Sequence, residues 1–284
     1  MKKYFSLVTF SHTIFAMPFA FIGFFLAVTT TNHKFEWQKL LLMVLCMVFA
    51  RNSAMAFNRY LDRDIDIKNP RTKVRDIPAG RISPAAALTF TLINCALFLA
   101  ATWFINPLCF YLSPVALFVV MGYSATKRFT ALCHMVLGLG LSLAPIGAYL
   151  VVTGEFNILP ILFSLSVLCW VSGFDIIYAL QDEDFDRNEK LHSIPAYLGK
   201  VKALNLSSFL HVLSAAFIIM PVFFTHVGLP YYLGIGVFCS MLYYQHSLVK
   251  PNDLSRVNFA FMTTNGIASV VFATLFLIDR LWIR

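Results

Sequence analysis

Residues 158–186 read ILPILFSLSVLCWVSGFDIIYALQDEDFD, a stretch with no charge before Asp175 that turns sharply acidic at Asp182, Glu183, Asp184 and Asp186. An α-helix rises about 1.5 Å per residue, so roughly 20 apolar residues cross a bilayer core of about 30 Å. Residues 158–181 therefore read as a membrane-spanning helix that delivers carboxylates to one membrane surface.

The rest of the chain repeats that apolar pattern. Of its 284 residues, 59% are hydrophobic and 13% charged, against about 45–50% and about 25% in soluble domains. This excludes a disordered chain, a collagen-like fibre, a coiled coil and an ordinary cytosolic enzyme. About nine apolar segments follow one another, over approximately 13–30, 38–62, 85–105, 108–125, 131–153, 158–181, 203–225, 229–249 and 258–279. The expected fold class is all-α, a polytopic bundle forming one membrane domain over residues 1–284. Residues 1–12 read as an amphipathic interfacial helix rather than a cleaved signal peptide. The six cysteines are isolated, with no CxxC or Cys/His cluster, which points to core filling rather than disulfides or zinc.

The net charge of +8 is distributed between spans and forms no nucleic-acid-binding face. Arg63, Lys68, Arg71, Lys73, Arg75 and Arg81 occupy one loop; Lys127 and Arg128, then Arg187, Lys190, Lys200 and Lys202, then Lys250 and Arg256 follow on the same side. The alternate connections are poor in charge. The positive-inside rule places the basic loops and N-terminus in the cytoplasm, in a cytoplasmic (inner) membrane, and puts the C-terminus outside despite Arg280 and Arg284.

Two of those loops, 62–84 and 182–202, are long, share a side and follow acidic helix ends. Helical spacing places Asn58, Asp62 and Asp66 along one face, with Arg51 deeper on the same stripe. Asp175, Tyr178, Asp182 and Asp186 form a second stripe, and the two segments share a D-x-D-hydrophobic-D ending 120 positions apart, which suggests an internal repeat. Asp64 and Asp184 turn away and read as solvated residues. Carboxylates at bilayer depth cost at least about 2.5–3.5 kcal/mol each near the centre and repel one another unless cations intervene. Mg²⁺ prefers a few carboxylates together with water and substrate phosphate, so a Mg²⁺–diphosphate is the simplest ligand. Arg71, Lys73, Arg75, Lys127 and Arg128 would supply the remaining neutralisation.

These residues resemble the UbiA family of intramembrane prenyltransferases. Asn58, Asp62 and Asp66 match its N-x-x-x-D-x-x-x-D motif, and Arg71, Thr72, Arg75, Ile77 and Gly80 match the continuation. Asp175, Tyr178, Ala179, Asp182 and Asp186 match its second motif, and Tyr123, Lys127, Arg128 and Thr130 match Y-x-x-x-K-R-x-T. The resemblance implies about nine helices around a central cavity with a cytoplasm-side cap. It also implies Mg²⁺-dependent transfer from a polyprenyl diphosphate to an aromatic acceptor. Within the family the chain looks most like 4-hydroxybenzoate polyprenyltransferases, with Arg51 at a position common in that branch. His192 stands where many members have lysine, as in bacteria that make menaquinone through futalosine, so 1,4-dihydroxy-6-naphthoate is the rival acceptor. Quinone biosynthesis, ubiquinone or menaquinone, is the implied setting.

The roles expected on this basis assign Asp62, Asp66, Asp182 and Asp186, with Asn58, to the metal. Lys73, Arg75, Lys127 and Arg128 would bind diphosphate, with Arg71 a weaker candidate. Arg51 would hold an acceptor carboxylate or, alternatively, form an internal ion pair with Asp175 or another carboxylate. Asp175 would take a phenolic proton or hydrogen bond, or pair structurally. Tyr178 is a candidate diphosphate contact or core residue, and His192 a phosphate contact or solvated loop residue. The partners expected are the two substrates and the lipid bilayer, with no nucleic acid and no obligate protein partner. The competing class is a secondary transporter of an organic anion, which would place its ionisable groups near midplane.

Overall fold

A computed structural model of the chain describes residue 7 and residues 15–282. Apart from Leu7, the stretch expected to be amphipathic over 1–12 lies outside the described residues, as does Arg284. Among the described residues the chain is helical, with no β-strand. Its helices are α1 (Met17–Thr30), α2 (Trp37–Leu61), α3 (Arg63–Lys68), α4 (Pro84–Trp103), α5 (Pro107–Thr126), α6 (Cys133–Thr153) and α7 (Ile158–Ala179). They continue with α8 (Glu183–Asn188), α9 (Ile194–Ile219), α10 (Leu229–Leu248) and α11 (Val257–Trp282).

Local chemistry sets several of these starts. The Ser83 hydroxyl accepts from the Ala86 N–H at 3.2 Å, and the Asn106 side-chain oxygen from the Cys109 N–H at 2.8 Å. Asn157 and Ser193 cap α7 and α9 in the same way. Pro84, Pro107 and Pro195 lie in the first turns, where a missing N–H costs nothing.

Seven helical stretches are long and apolar enough to cross a membrane: Trp37–Leu61, Pro84–Trp103, Pro107–Thr126, Cys133–Thr153, Ile158–Asn188, Ile194–Phe223 and Val257–Trp282. The chain is thus a multi-span membrane protein. The expectation of about nine spans meets two exceptions. With 14 residues α1 is short for a bilayer, and α10 carries Tyr231, Tyr232, Tyr243, Tyr244, Gln245 and His246, which dilute its apolar character.

The helix quoted at the outset is the hub. It packs against α6 on one side and α9 on the other, α1 packs on α6, α2 on α4, and α10 on α11. Trp170 of α7 is fully buried among Phe15, Phe19, Phe174 and Phe238. Between helices that pack in lipid, small residues permit close approach. A Cβ at Gly23 of α1 would lie 2.0 Å from the Pro145 carbonyl oxygen of α6, and one at Gly138 would lie 2.6 Å from the Leu168 carbonyl oxygen of α7.

Both acidic arms share one construction. The long helix α2 breaks at Asp62, whose φ/ψ of −85°/6° leaves the helical region, and the six-residue α3 follows. Likewise α7 tightens into a 3₁₀ turn over Leu180–Asp182 and is followed by the six-residue α8. The single continuous helix expected through each acidic stripe is therefore corrected to a long helix, a break and a short helix. The hydrogen-bond register survives the first break, because the Asp62 N–H bonds the Asn58 carbonyl at 2.9 Å and the Asp66 N–H the Asp62 carbonyl at 2.8 Å.

Gly23→Ala should drive its methyl into the Pro145 backbone and cost about 1–3 kcal/mol, the usual penalty for overpacking. It should appear as a lowered unfolding temperature in detergent. Gly147→Ala, with no heavy atom within 4 Å of the added carbon, should leave that temperature unchanged.

Candidate active site

At the basic-loop end of the bundle the two arms meet around a cavity of about 190 Å³. Asp62, Asp66, Asp182 and Asp186 all line it, with Asn58, Arg71, Arg75, Lys127, Asp175 and Tyr178. A larger cavity of about 580 Å³ lies beside it and shares Asn58, Arg75, Tyr123, Asp175 and Tyr178 with it. Arg51, Arg59, Met43, Met47, Phe98 and Phe174 are among the lining residues of the larger chamber.

Each carboxylate has a defined partner. The Asn58 amide donates to Asp62 Oδ2 at 2.9 Å, and Lys127 Nζ lies 3.3 Å from the same oxygen. Burial pushes the Asp62 carboxyl above its ordinary pKa, and the Lys127 ammonium opposes that shift. Arg75 donates from one nitrogen to both oxygens of Asp66, at 2.7 and 2.9 Å. Across the cavity Arg71 forks onto Asp182 through Nε, at 3.1 Å, and Nη2, while its Nη1 reaches the Tyr178 hydroxyl at 3.0 Å. Asn69 adds a bond to the same Asp182 oxygen at 3.1 Å. Burial works against the Arg71 charge, but the Asp182 carboxylate overrides it and holds the guanidinium above its ordinary pKa. Asp186 is buried and lines the cavity together with Ser193.

The remaining expected residues separate clearly. Arg128 sits at the rim, pairing with Asp64 at 2.9 Å and reaching Asp62 only at 3.5 Å; it holds the exposed Asp64 carboxyl below the usual range. Lys73 is exposed and lines neither cavity, whereas Arg71, the weaker candidate, lines the smaller one. His192 is also exposed; its backbone N–H bonds the Lys127 carbonyl at 2.7 Å, fixing that loop to the end of α5. Arg51 lines the large chamber, and its buried Nε has no hydrogen-bond partner among the described residues. The Arg51–Asp175 pairing left open from sequence does not form, because Asp175 Oδ2 bonds His134 Nδ1 at 2.6 Å instead.

Three site residues escaped sequence reasoning: His134, Asn69 and Arg59. His134 stands alone in an apolar run, Asn69 at the end of a short helix and Arg59 between motif positions. None carries a spacing signal by itself.

The donors suit a hard divalent cation. Five carboxylates line one cavity, yet no three His, Cys, Asp or Glu side chains among the described residues converge closely enough to hold a metal alone. That fits an ion such as Mg²⁺, which takes one or two carboxylates and completes its shell with water and phosphate oxygens.

The UbiA prenyltransferase family model matches residues 16–267. The chain belongs to the UbiA prenyltransferase family. It is accordingly a prenyltransferase, and the transporter alternative falls away. Among curated relatives, a 4-hydroxybenzoate octaprenyltransferase of Nitrosospira multiformis is 30% identical over 238 residues, covering 82% of this chain and 80% of the relative. A UbiA homologue from Aeropyrum pernix K1 superposes with a TM-score of 0.86 at 29% identity, covering 95% of this chain and 98% of that one. A UbiA homologue from Archaeoglobus fulgidus, solved with DMAPP and Mg²⁺, has the same fold with a TM-score of 0.77 at 21% identity, covering 98% of each chain.

Within this UbiA arrangement Arg75→Ala should lower kcat/KM for the prenyl donor by roughly 10- to 150-fold, corresponding to the loss of about 1.5–3 kcal/mol of charge-assisted hydrogen bonding. Lys73→Ala should stay within about threefold of the unaltered protein, since surface charges contribute little. Steady-state kinetics of the two variants side by side checks both.

Proposed function

We infer that the protein transfers a polyprenyl chain from its diphosphate to an aromatic acid bearing a phenolic hydroxyl, in quinone biosynthesis. One observation carries this reading: a compartment of paired carboxylates and cations opens into an apolar chamber through Asn58, Arg75, Tyr123, Asp175 and Tyr178. The small compartment suits a diphosphate head and the large one a prenyl chain and an aromatic ring. The donors named in the relatives, DMAPP with Mg²⁺ in one structure and an octaprenyl group in the curated enzymes, support the same chemistry.

In this reading Asp62, Asp66, Asp182 and Asp186, assisted by Asn58, hold Mg²⁺. When bound, the metal would offset the negative charge of the departing diphosphate. Arg75, Lys127 and Arg71 would offer their donors to phosphate oxygens, and Arg128 would support them from the rim. The allylic carbon–oxygen bond breaks with its electron pair on diphosphate. A ring carbon ortho to the hydroxyl then bonds the allylic carbon, and loss of its proton restores aromaticity. The apolar walls keep water from the allyl cation, and the two compartments hold donor and acceptor within reach of each other.

Arg51 faces the acceptor carboxylate, an assignment supported by its Nε, which has no partner among the described residues, in a largely apolar chamber. Asp175 accepts the hydrogen bond or proton of the phenol. Tyr178, tied to Arg71, borders the diphosphate. The basic loops support a position for this end of the bundle on the cytoplasmic face of a cytoplasmic membrane.

Purified protein with Mg²⁺, geranyl diphosphate and 4-hydroxybenzoate should yield a prenylated acid by mass spectrometry, abolished by EDTA and by Asp182→Asn. A parallel incubation with 1,4-dihydroxy-6-naphthoate decides the acceptor. Product that persists in EDTA, or with Asp182→Asn, would refute the metal–diphosphate reading. Arg51→Leu should raise the KM for the free acid at least tenfold and leave the KM for its methyl ester unchanged, as expected if the guanidinium meets a carboxylate.

A further inference from the structure

His134 lies in the first turn of α6, is 3% exposed and lines the smaller cavity. Both of its ring nitrogens are engaged. Nδ1 stands 2.6 Å from Asp175 Oδ2, and Nε2 stands 3.3 Å from the backbone nitrogen of Ile194. A backbone N–H can only donate, so Nε2 is the acceptor and carries no proton. The ring proton therefore sits on Nδ1 and is donated to Asp175. In this neutral tautomer His134 presents one donor and one acceptor in opposite directions.

The acceptor side is tied to the diphosphate end of the site. Ile194 opens α9, beside Ser193, which lines the smaller cavity with Asp186, and His192, whose N–H holds the Lys127 carbonyl at 2.7 Å. His134 thus joins the loop that borders the diphosphate side of the site to the carboxylate that faces the acceptor. Asp175 itself stands partly exposed on both cavities, its side chain 23% accessible, and among the described residues Oδ1 makes no hydrogen bond. Oδ2 is occupied by His134, which leaves Oδ1 for an incoming phenol.

We propose that His134 is the positioning residue for Asp175: as a neutral imidazole anchored by the Ile194 N–H, it holds the carboxylate so that Oδ1 meets the hydroxyl of the prenyl acceptor. This rests on the function inferred above. In the step it serves, the acceptor O–H bond breaks, the proton passes to Asp175 Oδ1, and the electron pair stays on the phenolic oxygen, enriching the ring carbon that attacks. A carboxylate that rotates freely would lose that alignment, and small misplacements of a catalytic group cost large factors in rate. The chemistry asks for a donor toward Asp175 and an acceptor toward Ile194, and it asks for no positive charge. A primary amide meets both requirements.

The test is a set of acceptor-saturation kinetics at saturating geranyl diphosphate and Mg²⁺, using the purified full chain and the acceptor found active above. His134→Leu should lower kcat at least 20-fold while the Kd for geranyl diphosphate with Mg²⁺ stays within twofold. His134→Gln should recover kcat to within about fivefold of the unaltered protein. Combining His134→Leu with Asp175→Asn should be no slower than Asp175→Asn alone, since the histidine acts through the aspartate. Full activity of His134→Leu, parallel loss of geranyl diphosphate binding, or failure of His134→Gln to recover kcat would each overturn the assignment. A wild-type chain that prenylates no phenolic acid would instead overturn the function on which it rests.

Discussion

The architecture depends on one electrostatic constraint: carboxylates held at the edge of a hydrocarbon layer must be answered by cations. Arg71 answers Asp182 across the cavity, Arg75 answers Asp66 within one arm, and Lys127 answers Asp62 from the end of α5. Two of these three pairs join segments more than sixty residues apart in sequence, so charge matching at the site also closes the fold there. Removing one partner of a buried pair leaves an uncompensated charge that costs about 3–5 kcal/mol. The pairs therefore specify where the arms lie, even where their net contribution to stability is small.

Asn69 and Lys68 extend the same closure. Asn69 shares Asp182 with Arg71, and Lys68 meets Glu189 at 2.5 Å. The first arm reaches over to the second with a buried neutral amide, a half-buried guanidinium and an exposed ammonium. The repeated construction of the arms makes this possible: each ends a long helix at a break and presents its second aspartate, Asp66 or Asp186, from a six-residue helix. The identical offset of 120 residues between the first and second members of both pairs extends the internal similarity from a short sequence match to local backbone.

Which parts of this were legible beforehand follows from the length scale of each signal. Long apolar runs and alternating basic loops are summed over many residues, and the bundle followed from them. The aspartates were legible because helical periodicity survives the break at Asp62, and because the 3₁₀ turn at Leu180–Asp182 still leaves Asp182 and Asp186 on the cavity. The cations were legible only as a group. Between Asn69 and Ala79 the chain makes successive tight turns, with Lys73 bonded back to Asn69, Arg75 to Thr72 and Ala79 to Arg75. A spacing of four brings Arg71 and Arg75 to the cavity, while Lys73 between them faces out. Spacing within an irregular segment does not reveal this. His134 was illegible for a different reason: its partners are 41 and 60 residues away, so its role exists only once α6, α7 and the start of α9 are packed.

That packing returns the argument to α7. One helix supplies Trp170 to the aromatic core, Asp175 and Tyr178 to the shared wall of the two cavities, and Asp182 to the charged compartment just past its end. The close approaches at Gly138 and Gly173 press α6 and α9 onto it, and those helices bring His134 and Ile194 within bonding distance. The same small residues that let helices meet in lipid therefore set the position of the Asp175 carboxylate. A side chain added at either contact would separate the helices and move that carboxylate together with its support, so in this bundle packing and the shape of the cavity wall are specified by the same contacts.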